Sequence, residues 1–223
     1  MRVLIACEES QTVCKAFRER GHEAYSCDIQ ECSGGEPQWH IHDDCLHYID
    51  GDCTFITQGG CKHTIVGEWD LLIAHPPCTY MSNASAVRMF PKKGVVDEER
   101  LQLALQAREF FMALLTAKCE RIAVENPRPL SIVGLPKESQ RIQPYQFGEP
   151  YSKLTYLWLK NLPLLKPTNV LETYKPYVSC GTSHNKGNPD KAGFSRAGGA
   201  QRVRSKTFKG FADAFAEQWG IEK

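Results

Sequence analysis

Short apolar strands that alternate with helical patterns are the feature that most constrains the fold of this chain. Residues 2–7, RVLIAC, form a brief apolar run rich in β-branched side chains, which predicts a buried strand. Residues 8–21 follow with helical spacing of their apolar side chains, and we expect Ser10 to cap this helix and Gly21 to end it. A strand that leads into a helix in this way is typical of a parallel sheet.

The same alternation continues along the chain. Five further strands are predicted, at residues 22–29, 39–46, 69–77, 121–127 and 154–159. The clearest helix is predicted over residues 97–118, and a closing helix over 205–220. The apolar face of the first of these helices comprises Leu101, Leu105, Phe110 (or Phe111) and Leu114. We therefore expect an α/β fold with a mostly parallel sheet and helices on both faces.

The length and composition of the chain fit a single globular domain. With 223 residues, 42% of them hydrophobic, the chain can bury a full core. No apolar run approaches the roughly 20 residues that a bilayer span requires, and no basic start followed by a long apolar run predicts a secretory signal. The ten cysteines follow no disulfide-framework spacing, which favours reduced thiols and a cytoplasmic protein.

A cysteine-rich stretch raises the question of a metal site. Cys53, Cys61 and His63 lie close together in the sequence, with Cys45 upstream. Structural zinc sites normally show closely spaced ligand pairs such as C-x-x-C, and this stretch has none. The alternating pattern on either side of the turn QGG instead predicts a β-hairpin, and no metal is expected.

Basic residues are concentrated near the end of the chain. Between residues 186 and 209 they are opposed only by Asp190, and the stretch is rich in glycine. They are Lys186, Lys191, Arg196, Arg202, Arg204, Lys206 and Lys209. Such a segment is typical either of a phosphate-contacting element or of a solvated loop, and charge alone leaves both open.

Polar residues follow one predicted strand after another. The five clusters are residues 8–10, Asp28, Asp43–Asp44, residues 75–78 and Glu125–Asn126. In parallel sheets the carboxyl ends of the strands meet at one edge, where ligands bind. We therefore expect these clusters to form a single site.

The first three clusters favour a nucleoside cofactor that carries positive charge. Asp28, at the end of the second strand, is placed to bind ribose hydroxyls, and Asp44, closing the third strand, to accept from an adenine amino group. The turn after the first strand has no glycine-rich pyrophosphate fingerprint, and Glu8 and Glu9 would repel phosphates. This argues against NAD and ATP and favours a cofactor with a positive charge near the turn, such as S-adenosylmethionine. The predicted cofactor residues are Cys7, Glu8, Ser10, Asp28, Ile29, Asp44, Cys45, His75 and Pro76.

The fourth and fifth clusters predict a nucleophile and an acid. Two prolines fix the backbone before Cys78 in the stretch AHPPCTYMS, so the thiol is held at the end of its strand. Glu125 ends the next strand, and Asn126–Pro127 stiffens the backbone that follows it. A thiolate beside a protonated carboxylic acid suits covalent addition to a heteroaromatic ring, with the acid donating to a ring nitrogen.

The ordered motifs resemble those of the DNA cytosine-5 methyltransferases. HPPCT is similar to the Pro-Cys nucleophile motif, ENP to the Glu-Asn-Val motif, and YQFGEPYSKLTYLWL to the later Gln-x-Arg-x-Arg region, in whose register Lys153 and Thr155 fall on the two arginines. The resemblance covers about residues 1–160 and the final helix. The chain is also similar to small phage- and prophage-borne proteins commonly labelled cytosine methyltransferases.

This resemblance implies a Rossmann-like S-adenosylmethionine-dependent methyltransferase fold, acting on DNA in a bacterial or phage-infected cell. It implies that Cys78 adds to cytosine C6, that Glu125 engages N3, and that Lys153 orients the base or favours the thiolate. The implied substrate-binding residues are Pro77, Thr79, Ser82, Asn83, Asn126, Thr155, Arg202 and Arg204. Residues 1–166 and 202–223 would form the catalytic domain, and 167–201 a minimal target-recognition region.

The sequence departs from the family at several motif positions. ACEESQ replaces the Phe-x-Gly-x-Gly turn, Thr79 replaces a glutamine, and Tyr151, Lys153 and Thr155 replace the glutamine and both arginines. These changes leave open a cytosine-modifying enzyme that acts on free nucleotides or transfers another group. An amino-methyltransferase would place an aromatic residue where Cys78 stands. A catalytically inactive nucleic-acid-binding protein is the third alternative, although it would need neither Cys78 nor Glu125.

Overall fold

The apolar runs of the sequence become strands of one central sheet in the computed structural model, which describes residues 1–177 and 207–221. Eleven strands and four α-helices lie within these two ranges. In chain order they are β1 (Arg2–Ala6), α1 (Thr12–Arg18), β2 (Glu23–Asp28), β3 (His40–His42), β4 (Cys53–Ile56), β5 (Lys62–Ile65), β6 (Leu71–Ala74), α2 (Ala86–Met89), α3 (Glu98–Leu115), β7 (Ile122–Pro127), β8 (Gln140–Ile142), β9 (Tyr151–Ser152), β10 (Thr155–Lys160), β11 (Lys175–Pro176) and α4 (Lys209–Trp219).

Seven strands form the central sheet in the order β3-β2-β1-β6-β7-β10-β8. The strands β3, β2, β1, β6 and β7 pair in parallel, and β10 pairs antiparallel with both β7 and β8. Among the described residues, β10 is therefore the one strand of this sheet that runs in reverse. The hairpin β4–β5 and the short pair β9–β11 stand apart from it. The predicted α/β, Rossmann-like fold with a mostly parallel sheet is confirmed.

Helices cover both faces of the sheet because successive strand residues point to opposite sides. In β1, Leu4 belongs to the apolar cluster under α3, whereas Ile5 belongs to the cluster under α1 and α4. Phe111 of α3 is fully buried and meets the ring of Trp158 edge-on at 4.9 Å. On the opposite face, Phe215 of α4 is fully buried as well. The prediction of helices on both faces is confirmed.

Helix α1 has a different start from the one predicted. Gln11, not Ser10, precedes its first residue, and Gln11 adopts a left-handed conformation with a φ of 58°. Its side chain donates to the Glu36 carbonyl and accepts from the Glu36 backbone N–H. The Ser10 cap was therefore wrong, because contacts with a distant loop hold Gln11 at this position. The Ser10 hydroxyl instead lies 3.2 Å from that of Thr12.

Two strand predictions also require correction. The third strand ends at His42, so Asp44 does not close it. Asp44 instead begins a single 3-10 turn, where its Oδ1 accepts from the backbone N–H of Leu46 at 3.0 Å. Strand β8 was not predicted, since its three residues QRI carry no alternating pattern long enough to detect. The predicted run 154–159 is therefore the seventh strand of the central sheet in chain order rather than the sixth.

The cysteine-rich stretch folds as the predicted hairpin. Phe55 of β4 is buried and packs edge-on against Tyr25 at 5.0 Å, and the Tyr25 hydroxyl bonds Nδ1 of His63 at 2.8 Å. Within residues 1–177 and 207–221, no cluster of three or more His, Cys, Asp or Glu side chains could hold a metal ion. No helix in the described part of the chain is both long and apolar enough to cross a bilayer.

Candidate active site

Neighbouring strands deliver three of the predicted polar groups to one edge of the sheet. Because β6 and β7 are parallel neighbours, the residues that follow β6, from His75 to Cys78, emerge beside the end of β7, where Glu125 lies. Strand β10 is reversed, so its first residue, Thr155, pairs with the last residue of β7. Lys153, two positions earlier, therefore reaches the same edge. The sheet brings together all three predicted catalytic residues.

A buried hydrogen bond joins His75 to Glu125 in this site. Nδ1–H of His75 donates to Oε2 of Glu125 across 3.2 Å, and the two side chains are only 7% and 17% exposed. The hydroxyl of Thr207, just before α4, lies 3.5 Å from the same nitrogen. Nε2 of His75 is buried and has no hydrogen-bond partner among residues 1–177 and 207–221. His75 is therefore tied to the predicted acid rather than only to a cofactor surface.

The loops that follow β6 and β7 are bonded to each other. The fully buried Asn126 donates from Nδ2 to the carbonyl of Pro76 at 3.1 Å. Farther along, the backbone N–H groups of Asn83 and Leu130 each donate to a carbonyl of the opposite loop at 2.8 Å. The backbone segments that carry the thiol and the acid consequently form one connected unit. Asn126 supports the proline turn, although it was predicted to contact substrate.

The Cys78 thiol is partly buried, and its environment favours the protonated form. Burial and the nearby Glu125 carboxylate raise the pKa of Cys78 above its ordinary value. The positive charge of Lys153 and a hydrogen bond with the Ser82 side chain act in the opposite direction, but they do not reverse the shift. The expected thiolate is therefore not the resting form of this side chain.

Glu125 shows the opposite balance. Burial alone would raise the pKa of Glu125, but the hydrogen bond and charge of His75, together with Lys153, hold that pKa below its ordinary value. A protonated carboxylic acid was expected at this position, and the structure instead favours the carboxylate. The thiol and the acid thus carry the reverse of the expected protonation states. A proton must therefore reach Glu125 from elsewhere before this side chain can act as an acid.

Lys153 is held by its backbone and by aromatic rings. Its N–H donates to Oε1 of Gln143 at 2.9 Å, and its ammonium lies 5.7 Å from the ring of Tyr177 and 5.6 Å from that of Phe208. Thr155 is buried and donates from its hydroxyl to the Lys153 carbonyl at 3.0 Å. Thr155 therefore positions Lys153, whereas it was predicted to bind substrate.

The turn after β1 is closed to anions. Glu8 is buried, and its two carboxylate oxygens accept from the backbone N–H groups of Val13 at 2.6 Å and Cys14 at 3.1 Å. These are the first-turn donors of α1 that would otherwise be available to a phosphate. Burial raises the pKa of Glu8, although the charge of His75 and both hydrogen bonds oppose the shift. Glu8 therefore caps helix α1, and it lies at the sheet edge that was predicted to bind the cofactor.

The neighbouring strand ends form an acidic edge with an exposed apolar residue. Asp28 is partly exposed; one of its oxygens accepts from the N–H of Gln30 at 2.9 Å, and burial raises its pKa. Ile29, directly after it, is 74% exposed. The sulfur atoms of Cys7 and Cys45 lie 3.9 Å apart across the ends of β1 and β3. This edge suits a hydroxyl-bearing cationic ligand with an apolar surface better than a pyrophosphate.

The two aspartates after β3 have different hydrogen-bond partners. Asp43 accepts from the Tyr48 hydroxyl at 2.6 Å, and this bond lowers its pKa. Asp44 uses one oxygen in the turn at Leu46. Its remaining oxygen gives Asp44 an acceptor at the same sheet edge as Asp28, because β3 and β2 are parallel neighbours.

The remaining predicted substrate residues lie at different depths. Three of them are exposed: Pro77, Thr79 and Asn83. Ser82 is buried, and its side chain forms a hydrogen bond with the Cys78 thiol. Arg202 and Arg204 lie outside the described residues, as does most of the predicted target-recognition region 167–201.

Three neighbours of the site were missed at the sequence level: Tyr177, Thr207 and Phe208. They lie at the two described ends of the chain that flank residues 178–206. The rings of Tyr177 and Phe208 meet at 4.6 Å, and Phe208 is buried. Local pattern carries no signal for them, because the contact joins residues far apart in the chain. The pairing of His75 with Glu125 was missed for the same reason.

The fold and the site can be set beside known proteins. No protein-family profile matches the chain, and no curated protein sequence matches it. One solved structure that it resembles is a candidate DNA modification methyltransferase encoded within a prophage of E. coli, with a TM-score of 0.43 and 12% sequence identity. The match covers 77% of this chain and 52% of that one, so the chain spans about half the length of that protein. A likeness this distant assigns no activity, and the function has to be argued from the side chains of the site.

Proposed function

We propose that this protein methylates cytosine at C5 in DNA through a covalent adduct with Cys78. The observation that carries the proposal is the convergence of a thiol, a carboxylate and an ammonium at one sheet edge: the pKa of Cys78 responds to the charges of both Glu125 and Lys153. A nucleophile beside a proton carrier is what addition to a pyrimidine ring requires. The order of the motifs that resemble the cytosine-5 methyltransferases supports the same reaction.

The cofactor edge is compatible with S-adenosylmethionine. The Asp28 carboxylate would hold the ribose, Ile29 would contact the adenine face, and Asp44 would accept from the adenine amino group. Glu8 and the carboxylates around it favour a positive charge, and its bonds to the first turn of α1 disfavour pyrophosphate cofactors. When bound, S-adenosylmethionine supplies the methyl group.

The protein's residues then act on the base in a defined order. Cytosine leaves the stack to reach the sheet edge. The Cys78 thiol gives up its proton to solvent water, and its sulfur forms a bond with C6 while Glu125 delivers a proton to N3. This addition makes C5 the nucleophilic carbon that accepts the methyl group. Loss of the C5 proton to water and breakage of the bond between sulfur and C6, with return of the N3 proton to Glu125, release the product and return the thiolate.

Lys153 has two tasks in this sequence. Its positive charge lowers the pKa of Cys78 against the effect of burial, which favours thiolate formation at the moment of attack. The rings of Tyr177 and Phe208 hold its ammonium above the site. A lysine held in this way can also donate to an oxygen of the base, in the place where the family carries arginine.

We assign the DNA contacts to the basic segment within residues 167–201 and to Arg202 and Arg204 beyond it, with residues 1–166 and 202–223 as the catalytic domain. In support, the described residues on either side of 178–206 lie next to the site: Tyr177 contacts Phe208, and Thr207 lies 3.5 Å from His75. Phosphate contacts of the basic segment would be salt-dependent.

Covalent trapping tests the proposed function. The wild-type protein is incubated with S-adenosylmethionine and a pool of duplexes that carry 5-fluorocytosine, because fluorine at C5 cannot leave as a proton and the adduct persists. We expect a denaturation-resistant complex, its loss in Cys78→Ala, and its retention in Cys53→Ala, which removes a partly buried thiol of the hairpin.

Three other outcomes would replace this function. The absence of both a complex and cofactor binding by calorimetry would leave a nucleic-acid-binding protein. A complex with fluorinated cytidine nucleotides but not with DNA would identify a nucleotide-modifying enzyme. A complex that forms in Cys78→Ala would move the nucleophile to another residue. Folding of each variant is checked by circular dichroism.

A further inference from the structure

We infer that His75 is a positioning residue that stores the proton Glu125 delivers to N3 of the base. This inference rests on the proposed function. The family resemblance implies the acid role for the glutamate alone, and His75 was predicted only as a residue of the cofactor edge. The structure instead joins Nδ1 of His75 to Oε2 of Glu125 at 3.2 Å.

The geometry suits proton sharing. Both side chains are largely buried, at 7% and 17% exposure, so their hydrogen bond is shielded from exchange with solvent. Glu125 is the acceptor when it is ionised, and Nδ1 of His75 must then carry a hydrogen. Movement of that proton along the bond converts the carboxylate into the neutral acid that the reaction needs. No rearrangement of either side chain is required.

The charges around the pair favour a proton on it. Glu8, from the turn after β1, interacts electrostatically with His75 from one side, and Glu125 bonds it from another. Lys153 and the Cys78 thiol face Glu125 from the β9–β10 turn and from the loop after β6. Two buried carboxylates thus lie next to one imidazole, so retention of a proton within this group reduces the number of unpaired buried charges.

The buried second ring nitrogen of His75, unpartnered within the described part of the chain, indicates a functional role rather than a packing role. Nε2 of His75 is buried without a hydrogen-bond partner among the described residues. A histidine kept only for stability would normally satisfy both nitrogens, since an unmade buried hydrogen bond is costly. This arrangement leaves Nε2 able to take up a proton from water as Nδ1 gives one away, so the imidazole remains neutral throughout.

Each bond that breaks in this reaction is matched by a bond that forms. An N–H bond forms at Nε2 of His75 with a proton from water, and the Nδ1–H bond breaks as its proton moves to Oε2 of Glu125. The Glu125 O–H bond then breaks as the proton moves to N3. The thiol proton of Cys78 has left to water, and the bond between sulfur and C6 forms. When the thiolate is eliminated, Glu125 takes the proton back from N3 and passes it to Nδ1. Nε2 returns its proton to water, and the Cys78 thiolate takes up a proton from water. The protein ends the cycle in its starting protonation state.

The test uses exchange of the C5 hydrogen of cytosine in deuterated water, which reports reversible adduct formation without any cofactor. Wild-type protein and His75→Asn are compared across the pH range on the same duplex pool. Asparagine places an amide N–H near the position of Nδ1, so it preserves a hydrogen bond to Glu125 but stores no proton. We expect exchange at neutral pH to fall by about 10- to 100-fold and its alkaline decline to begin at lower pH.

A second comparison separates proton storage from structural support. If His75 acts through Glu125, His75→Asn adds no further loss when Glu125 is already replaced by Gln, because the shared path has been removed. A purely structural role predicts the same fractional loss in both backgrounds, with no change in the shape of the pH profile. That outcome, or a wild-type profile in His75→Asn, would overturn the inference.

A measurement on the unaltered protein covers the case in which His75→Asn does not fold. Nitrogen-15 resonances of His75 in the wild type should show a proton on Nδ1 before addition of 5-fluorocytosine DNA, and its transfer in the covalent complex. An imidazole whose protonation does not change on adduct formation contradicts the inference. If the wild type shows neither exchange nor an adduct, the proposed function itself fails, whereas an adduct with an unmoved imidazole rejects only the role of His75.

Discussion

At the scale of single residues, the pKa values in the site depend on whether nearby positive charges offset the effect of burial. Glu125 is buried, but His75 and Lys153 compensate its charge, so the pKa of Glu125 is lowered. Cys78 is partly buried beside that carboxylate, and Lys153 only partly offsets the resulting rise in its pKa. The thiol therefore depends on Lys153 more than the acid does, since the charge of Lys153 opposes the rise in the pKa of Cys78, whereas Glu125 is compensated by His75 as well.

This balance predicts the effect of removing the ammonium. In Lys153→Met the pKa of Cys78 should rise further, so alkylation of Cys78 should require higher pH than in the wild type. Lys153→Arg is the matched control, because it keeps the positive charge, and its alkylation profile should stay close to the wild type. Mass spectrometry of the peptide that contains Cys78 separates its reaction from those of the other cysteines. An unchanged profile in Lys153→Met would contradict the electrostatic role.

Glu8 predicts a pH dependence of stability. Burial raises its pKa above the ordinary 4.5, so the folded state holds this proton to higher pH than the unfolded chain does. The contribution of Glu8 to stability is therefore fully present below about 4.5 and is lost as pH rises through the folded-state pKa. Relative to Glu8→Gln, which does not titrate, the wild type should lose free energy of unfolding from acidic to neutral pH.

Urea denaturation of both proteins over a pH series measures this difference, and the other titrating groups cancel because they are common to both. A difference that stays constant, or that grows in favour of the wild type with rising pH, would show that the bonds to Val13 and Cys14 outweigh the cost of burial.

At the scale of elements, helix α3 packs on one face of the sheet, with Phe111 as its largest fully buried side chain. The sequence pattern left Phe110 and Phe111 as alternatives for its apolar face, and the structure buries Phe111 completely against Trp158. Phe110 is only partly buried. Helical periodicity fixes the face to within one residue, and the exact angle depends on how α3 docks on β7 and β10.

The docking predicts unequal effects of the two phenylalanines. Phe111→Ala should lower the free energy of unfolding by about 3–5 kcal/mol, because it removes a fully buried ring and leaves a cavity. Phe110→Ala is the matched control on the same helix and should cost about half as much or less. Chemical denaturation followed by circular dichroism measures both. Equal losses would mean that α3 sits rotated from the described orientation.

Some element boundaries could be predicted from the sequence and others could not. Strands β1, β2, β6 and β7 and the hairpin were evident from their apolar patterns, since those patterns reflect burial directly. The left-handed Gln11 was not, because the loop containing Glu36 stabilises it from a distance. The reversal of β10 was not predicted either, since a strand has the same alternation in both directions.

At the scale of the whole molecule, the topology determines which parts of the site could be foreseen. Parallel strands bring their carboxyl ends to one edge, so the proximity of Cys78 and Glu125 followed from the order of strands alone. Lys153 was assigned through its position in a motif. The partnership of His75 with Glu125 depends on the register between β6 and β7, and the protonation states depend on burial. Neither the strand register nor the burial of these side chains can be predicted from a local sequence pattern.

The hydrogen bonds between the loops after β6 and β7 have one more consequence. Asn126 and the backbone groups of Asn83 and Leu130 order the two loops during folding, long before any base arrives. A bound base therefore does not have to organise the catalytic backbone, and its binding free energy is not consumed by the entropy of assembling the two reactive groups. In such a site the fold, rather than the ligand, sets the positions of the thiol and the acid. The effective molarity of each group toward its own target atom on the base, C6 or N3, is therefore high.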